Sequence, residues 1–109
     1  MATAAIKSGS RQSEINDQLL CQNPLCVRAC FDGGRRESLA SYGWVLYGAF
    51  EYDNVGKPVW RRVCAGADIL GDASAIHAEL CGASVAIRRA IAFASGNLVA
   101  EEILHSDRD

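Results

Sequence analysis

The hydrophobic rhythm changes several times along the chain, and each change marks a predicted element. Residues 1–24 are mostly polar, hold no sustained period and end at Pro24. They read as a flexible lead, with Leu19 and Leu20 packing on the edge of the domain. Residues 25–31 are rich in strand formers and stop at Asp32-Gly33-Gly34, a short strand running into a glycine turn. Residues 42–51 repeat the pattern with aromatic and branched side chains. Residues 52–58 hold Asn54, Gly56 and Pro58, the punctuation of a turn, and Val59 to about Ala67 forms a third strand. Residues 42–67 therefore read as an antiparallel hairpin.

Gly71-Asp72-Ala73-Ser74 breaks the strand pattern, and Asp72 or Ser74 can cap a helix. From Ala75 to Ser95, apolar residues at Ile76, Leu80, Ala83, Ile87 and Ile91 fall at helical spacing and predict the buried stripe. Gly96-Asn97 ends the helix, and Leu98 to Leu104 reads as a fourth strand. The order strand, strand, strand, helix, strand predicts a mixed sheet in an α/β or α+β domain over residues 25–109.

Composition narrows the class. The chain has 109 residues, half of them hydrophobic and 22% charged, which excludes wholesale disorder and sets one domain as the ceiling. No apolar run approaches the roughly 20 residues of a membrane helix, and residues 1–20 lack the layout of a signal peptide. A protein inside the cell, cytoplasmic or nuclear, is expected. Net charge is −2, yet residues 25–64 carry a basic excess and residues 65–109 an acidic one. A basic middle can touch phosphate, and an acidic end can hold metal.

Five cysteines, an odd number with no Cys-x-x-Cys pair, argue against a disulfide framework. Zinc would need Cys21, Cys26 and Cys30 plus a ligand from Cys64, Cys81, His77 or His105, at no recognisable spacing. Reduced thiols are expected, with Cys30 and Cys81 as small core residues.

Three acids carry the candidate chemistry. Asp32 and Asp107 end predicted strands, and Glu79 lies within the predicted apolar stripe of the helix. A carboxylate facing a sheet is costly unless it is paired, protonated or metal-bound. Convergent carboxylates repel one another and favour a divalent cation, and oxygen donors suit magnesium or manganese.

Phe31-Asp32-Gly33-Gly34, Ser41-Tyr42-Gly43-Trp44-Val45-Leu46, Ala78-Glu79-Leu80 and His105-Ser106-Asp107, in this order, resemble the type 1 ribonuclease H domain. The similarity is strongest to versions associated with reverse transcriptases and retroelements. It covers about residues 25–107 and implies a mixed sheet of three antiparallel strands, a crossover helix and a fourth strand parallel to the first. It implies hydrolysis of the RNA strand of an RNA–DNA hybrid with two magnesium (or manganese) ions. Asp32, Glu79 and Asp107 would then be the catalytic metal ligands. Gly33 and Gly34 would let backbone approach the substrate. Ser74 and His77 would lie near the RNA strand, and Arg35 and Arg36 would meet phosphate. Active members continue beyond the third acid, so the domain reads as incomplete at its C-terminus, to be completed by a partner or a missing segment.

Two other readings stand beside this one. The first is a catalytically inactive module of the same fold, or a retroelement remnant, binding nucleic acid or protein. The second is a small cysteine-containing metal or redox protein. Trp44 and Trp60 are expected to be packing residues, and Arg61-Arg62 and Arg88-Arg89 solvated pairs.

Overall fold

The computed structural model describes residues 3–8 and 11–105. It is an α/β arrangement of five strands and three helices in the order β1 (Thr3–Ser8), β2 (Arg11–Asn16), α1 (Asp17–Leu20), β3 (Cys26–Arg36), β4 (Leu39–Tyr52), β5 (Pro58–Gly71), α2 (Ala75–Ala94) and α3 (Ala100–His105). The strands form one sheet in the order β1-β2-β5-β4-β3, and each described pairing is antiparallel. Among the described residues β3 is therefore an edge strand.

β4 supplies the centre of the core. Tyr42, Trp44 and Leu46 alternate onto one face and are buried, while Gly43, Val45 and Tyr47 point the other way. β5 adds Cys64 and Gly66 on the buried face, opposite Leu46 and Trp44. A Cβ at Gly66 would stand 2.5 Å from Trp44 Nε1, so the indole occupies the space that a side chain would need. α2 packs over β3 and β4 on this face, and Phe93 meets Phe50 edge-on with ring centroids 6.3 Å apart.

Four elements differ from the sequence reading. Residues 3–16, read as a flexible lead, form a hairpin whose second strand pairs with β5 from Gln12↔Ala67 to Ile15↔Cys64. Ser13 and Ile15 are its buried alternation, and Asn16 caps α1 by accepting from Leu19 N. Next, β3 does not stop at Asp32. It runs through both glycines to Arg36 and turns at Glu37-Ser38, so Asp32 lies inside a strand.

The third difference is Leu98–Leu104, which is not a strand parallel to β3. Its last residues form α3, with Leu98 and Ile103 buried and Glu101 and Glu102 in the first turn, where the helix dipole favours acids. Ile103 O accepts from Ser13 Oγ at 3.3 Å, and Glu102 O accepts from Arg89 Nη2 at 2.8 Å. These contacts dock α3 on β2 and α2.

The fourth is the orientation of α2. Its buried face is Ala78, Gly82, Val85, Ala86, Arg89 and Phe93, not the isoleucine stripe. Small residues face the sheet because the helix lies close against it. Ile76, Leu80, Ile87 and Ile91 are left exposed, each by more than half its surface. Arg89, expected in solvent, is 3% exposed, and burial lowers the pKa of its guanidinium. Trp60 is half-buried under Arg28, whose guanidinium carbon stands 4.4 Å from the ring centre.

Candidate functional site

Glycine sets the geometry of the site. Gly33 faces α2, and a Cβ there would be 2.5 Å from both C and O of Ala78 and 2.7 Å from Glu79 N. Only a residue without a side chain lets the helix lie this close. The first turns of α2 are thereby pinned against β3 beside Asp32. By strand alternation Asp32 points to the opposite face of the sheet, which no described helix covers. There it lines a shallow cavity of about 460 Å³ with Cys30, Gly43, Ala67 and Gln12. Glu79 is exposed on α2 beside the open edge of β3. The two acids thus lie on touching elements, one on each side of that edge.

The other predicted residues have separate placements. Asp107 lies outside the described residues. Gly34 has open space around it, with nothing within 4 Å of a built Cβ. Ser74 is the N-cap of α2 and accepts from His77 N at 3.0 Å. His77 is exposed, with Nε2 3.6 Å from Cys81 Sγ one turn on. Arg35 ties the β3–β4 turn to the start of α2. It donates to Asp72 Oδ1 and Ala73 O, both at 2.7 Å, and through Nε to Glu37 O at 3.1 Å. Arg36 is exposed where β3 ends, opposite Leu39.

Asp68 belongs to no motif in the sequence. It sits on β5 opposite Tyr42, which is itself opposite Gly33, so the three share the helix-facing side. Asp68 is 2% exposed, and its Oδ1 accepts from Ile69 N at 2.9 Å. The available signal is its place in the inward alternation Cys64, Gly66, Asp68.

The thiols also redistribute. Cys64 is the buried one, whereas Cys30 is exposed and Cys81 half-buried, and all five are free. Cys64 lies opposite Leu46 on the helix-facing side, whereas Cys30 lies opposite Val45 on the side that no described helix covers, which is why Cys64 joins the core. Burial pushes the Cys64 thiol up to about 12, against partial opposition from the nearby Arg89 and Arg62 guanidiniums.

Asp32 and Glu79 offer exposed carboxylate oxygens, the donor type that magnesium and manganese prefer. Among the described residues no group of three His, Cys, Asp or Glu side chains comes together to hold a metal. No helix among the described residues is long and apolar enough to cross a membrane. No family model, no curated protein and no solved structure matches the chain.

Proposed function

We propose that the chain is a ribonuclease H-like nuclease domain that cuts the RNA strand of RNA–DNA hybrids with magnesium or manganese. The observation that carries this reading is the contact of Gly33 with Ala78 and Glu79, which fixes Asp32 and Glu79 on touching elements at an open sheet edge. Three antiparallel strands followed by a helix returning over the first of them is the part of the fold that the reading uses. A fourth parallel strand is no part of it.

In this reading Asp32 and Glu79 would be donors to the cation, and Asp107 the third donor that the resemblance implies. Bound divalent ions activate a water and stabilise the leaving oxygen in phosphodiester hydrolysis. The chain's own contribution is positional. The Gly33 contact holds the backbones that carry the two acids against one another. Arg36, exposed at the end of the same strand, supplies a cation for a phosphate of the bound strand.

The test is cleavage of a labelled RNA–DNA hybrid by the purified chain with magnesium, with manganese and with chelator. Metal-dependent cutting that disappears in both Asp32→Asn and Glu79→Gln is expected. A folded chain that cuts in no metal sinks the catalytic reading. Retained binding of the hybrid would then favour an inactive nucleic-acid-binding module.

A further inference from the structure

Among the described residues β3 leaves one edge of the sheet open along Cys26–Arg36, and α2 lies on the same strand with an apolar ridge exposed. An open edge is a template for another strand. The pattern of charges on β3 says which strand fits. Arg28 and Asp32 lie on the same face, two residues to either side of Cys30. An antiparallel copy of β3 centred on Cys30 therefore sets each Arg28 directly opposite an Asp32. The same register sets Cys30 opposite Cys30 and lays the exposed Phe31 against Ala29 on the helix side. It keeps residues 26–34 of both strands paired.

The helices obey the same centre. Ala78 lies beside Gly33, and Phe93 lies beside Gly48, the partner of Val27, so α2 runs antiparallel to β3 and its midpoint stands over Cys30. A twofold axis there brings two α2 helices side by side and antiparallel, with Leu80 of one level with Ile91 of the other. α2 packs on both β3 and β4. Strands are about 4.8 Å apart, so a helix axis between those two strands puts the paired helices about 10 Å apart, the usual packing distance.

We propose that this edge is a self-pairing surface. Two copies join through β3 into a continuous ten-stranded sheet, register-locked by two Arg28–Asp32 pairs, with the two α2 helices side by side on one face of it. This goes beyond the nuclease reading and uses Asp32 differently. In the paired form Asp32 faces the partner's guanidinium, so pairing and metal binding compete for one carboxylate.

Sedimentation equilibrium of the full chain over a concentration series tests the pairing without reference to cleavage. The chain is expected to dimerise. Arg28→Asp or Asp32→Arg alone places like charges opposite one another twice per dimer and is expected to weaken association by roughly tenfold or more. The double swap, Arg28→Asp with Asp32→Arg, restores opposite charges and is expected to restore association. A second readout fixes the register. In a chain with Cys21→Ser, Cys26→Ser and Cys81→Ser, oxidised glutathione should join Cys30 to Cys30 of a second copy. Two thiols give one disulfide and two protons, and the electrons reduce the glutathione disulfide. A monomer at every concentration, a double swap that fails to recover, or no Cys30-linked dimer overturns the proposal.

Discussion

Gly33 stands so close to Ala78 that a Cβ on the glycine would meet the alanine carbonyl carbon and oxygen at 2.5 Å. Both atoms are backbone, so no side chain can swing away. Gly33→Ala must push α2 off the sheet, and an overpacked core position costs about 1–3 kcal/mol, occasionally more. Gly34, one residue on, has nothing within 4 Å. Gly34→Ala removes only unfolded-state freedom and is expected to be neutral or to gain about 0.5 kcal/mol. Unfolding free energies of the two variants from urea titration should move in opposite directions or split by more than about 1 kcal/mol. Equal free energies would show that α2 is not held where the contact places it.

That contact also marks the limit of what the sequence makes legible. The start and end of α2 are legible because Ser74 caps it and Gly96 stops it, at a φ of 75°. β4 and β5 are legible from their branched and aromatic runs. The buried face of α2 is not. Beside Val85 and Phe93 it is built from Ala78, Gly82, Ala86 and the charged Arg89, which carry little or no hydrophobic signal, while the isoleucines that define the apparent stripe stay outside. Leu98–Leu104 holds too few residues to separate a strand from a short helix, and only its docking on Ser13 and Arg89 decides. Asp32 and Glu79 are identifiable in the sequence as acids of interest. The contact between the elements that carry them depends on Gly33, which sequence alone presents as a turn residue.

Arg89 is a buried cation held by a backbone carbonyl. It donates to Glu102 O at 2.8 Å, while the Glu102 carboxylate is 3.8 Å from Nη1. Arg89→Ala removes the hydrogen bond and the packed stem together and is expected to cost about 2–4 kcal/mol. Glu102→Gln leaves the carbonyl in place and is expected to cost under about 1 kcal/mol, in line with a half-exposed ion pair. Amide exchange in residues 100–105 should quicken markedly in the first variant and little in the second. Similar exchange in both would detach α3 from Arg89.

Glu37 turns the β3–β4 hairpin at a φ of 57°, in the left-handed region. A side chain there costs about 1 kcal/mol relative to glycine. Glu37→Gly is therefore expected to raise the midpoint of thermal unfolding, whereas Glu37→Ala keeps the Cβ and should not. The Arg35 Nε bond to Glu37 O is to backbone and survives both changes. A gain shared equally by the two variants would point to lost side-chain charge instead of relieved backbone.

Cys64 makes stability depend on alkaline pH. Its thiol titrates near 9 in an ordinary environment and is pushed up to about 12 in the fold, chiefly because its burial disfavours the thiolate. Below pH 9 both the folded and the unfolded chain hold the proton, and the contribution is constant. Between pH 9 and 12 the unfolded thiol ionises while the folded one does not, so ionisation draws the equilibrium toward unfolding. Stability should fall through that window by an amount that Cys64→Ala does not show, although the alanine variant starts lower because it leaves a cavity. The same burial predicts thiol reactivity. At about pH 8 in native buffer Cys21 and Cys30 should react first with an aromatic disulfide reagent, and Cys64 only when the chain unfolds. If Cys64→Ala loses stability at alkaline pH as steeply as the parent, the thiol is not shielded in the core between β2 and β4. The sheet would then be looser at its centre than the packing of Trp44 against Gly66 requires.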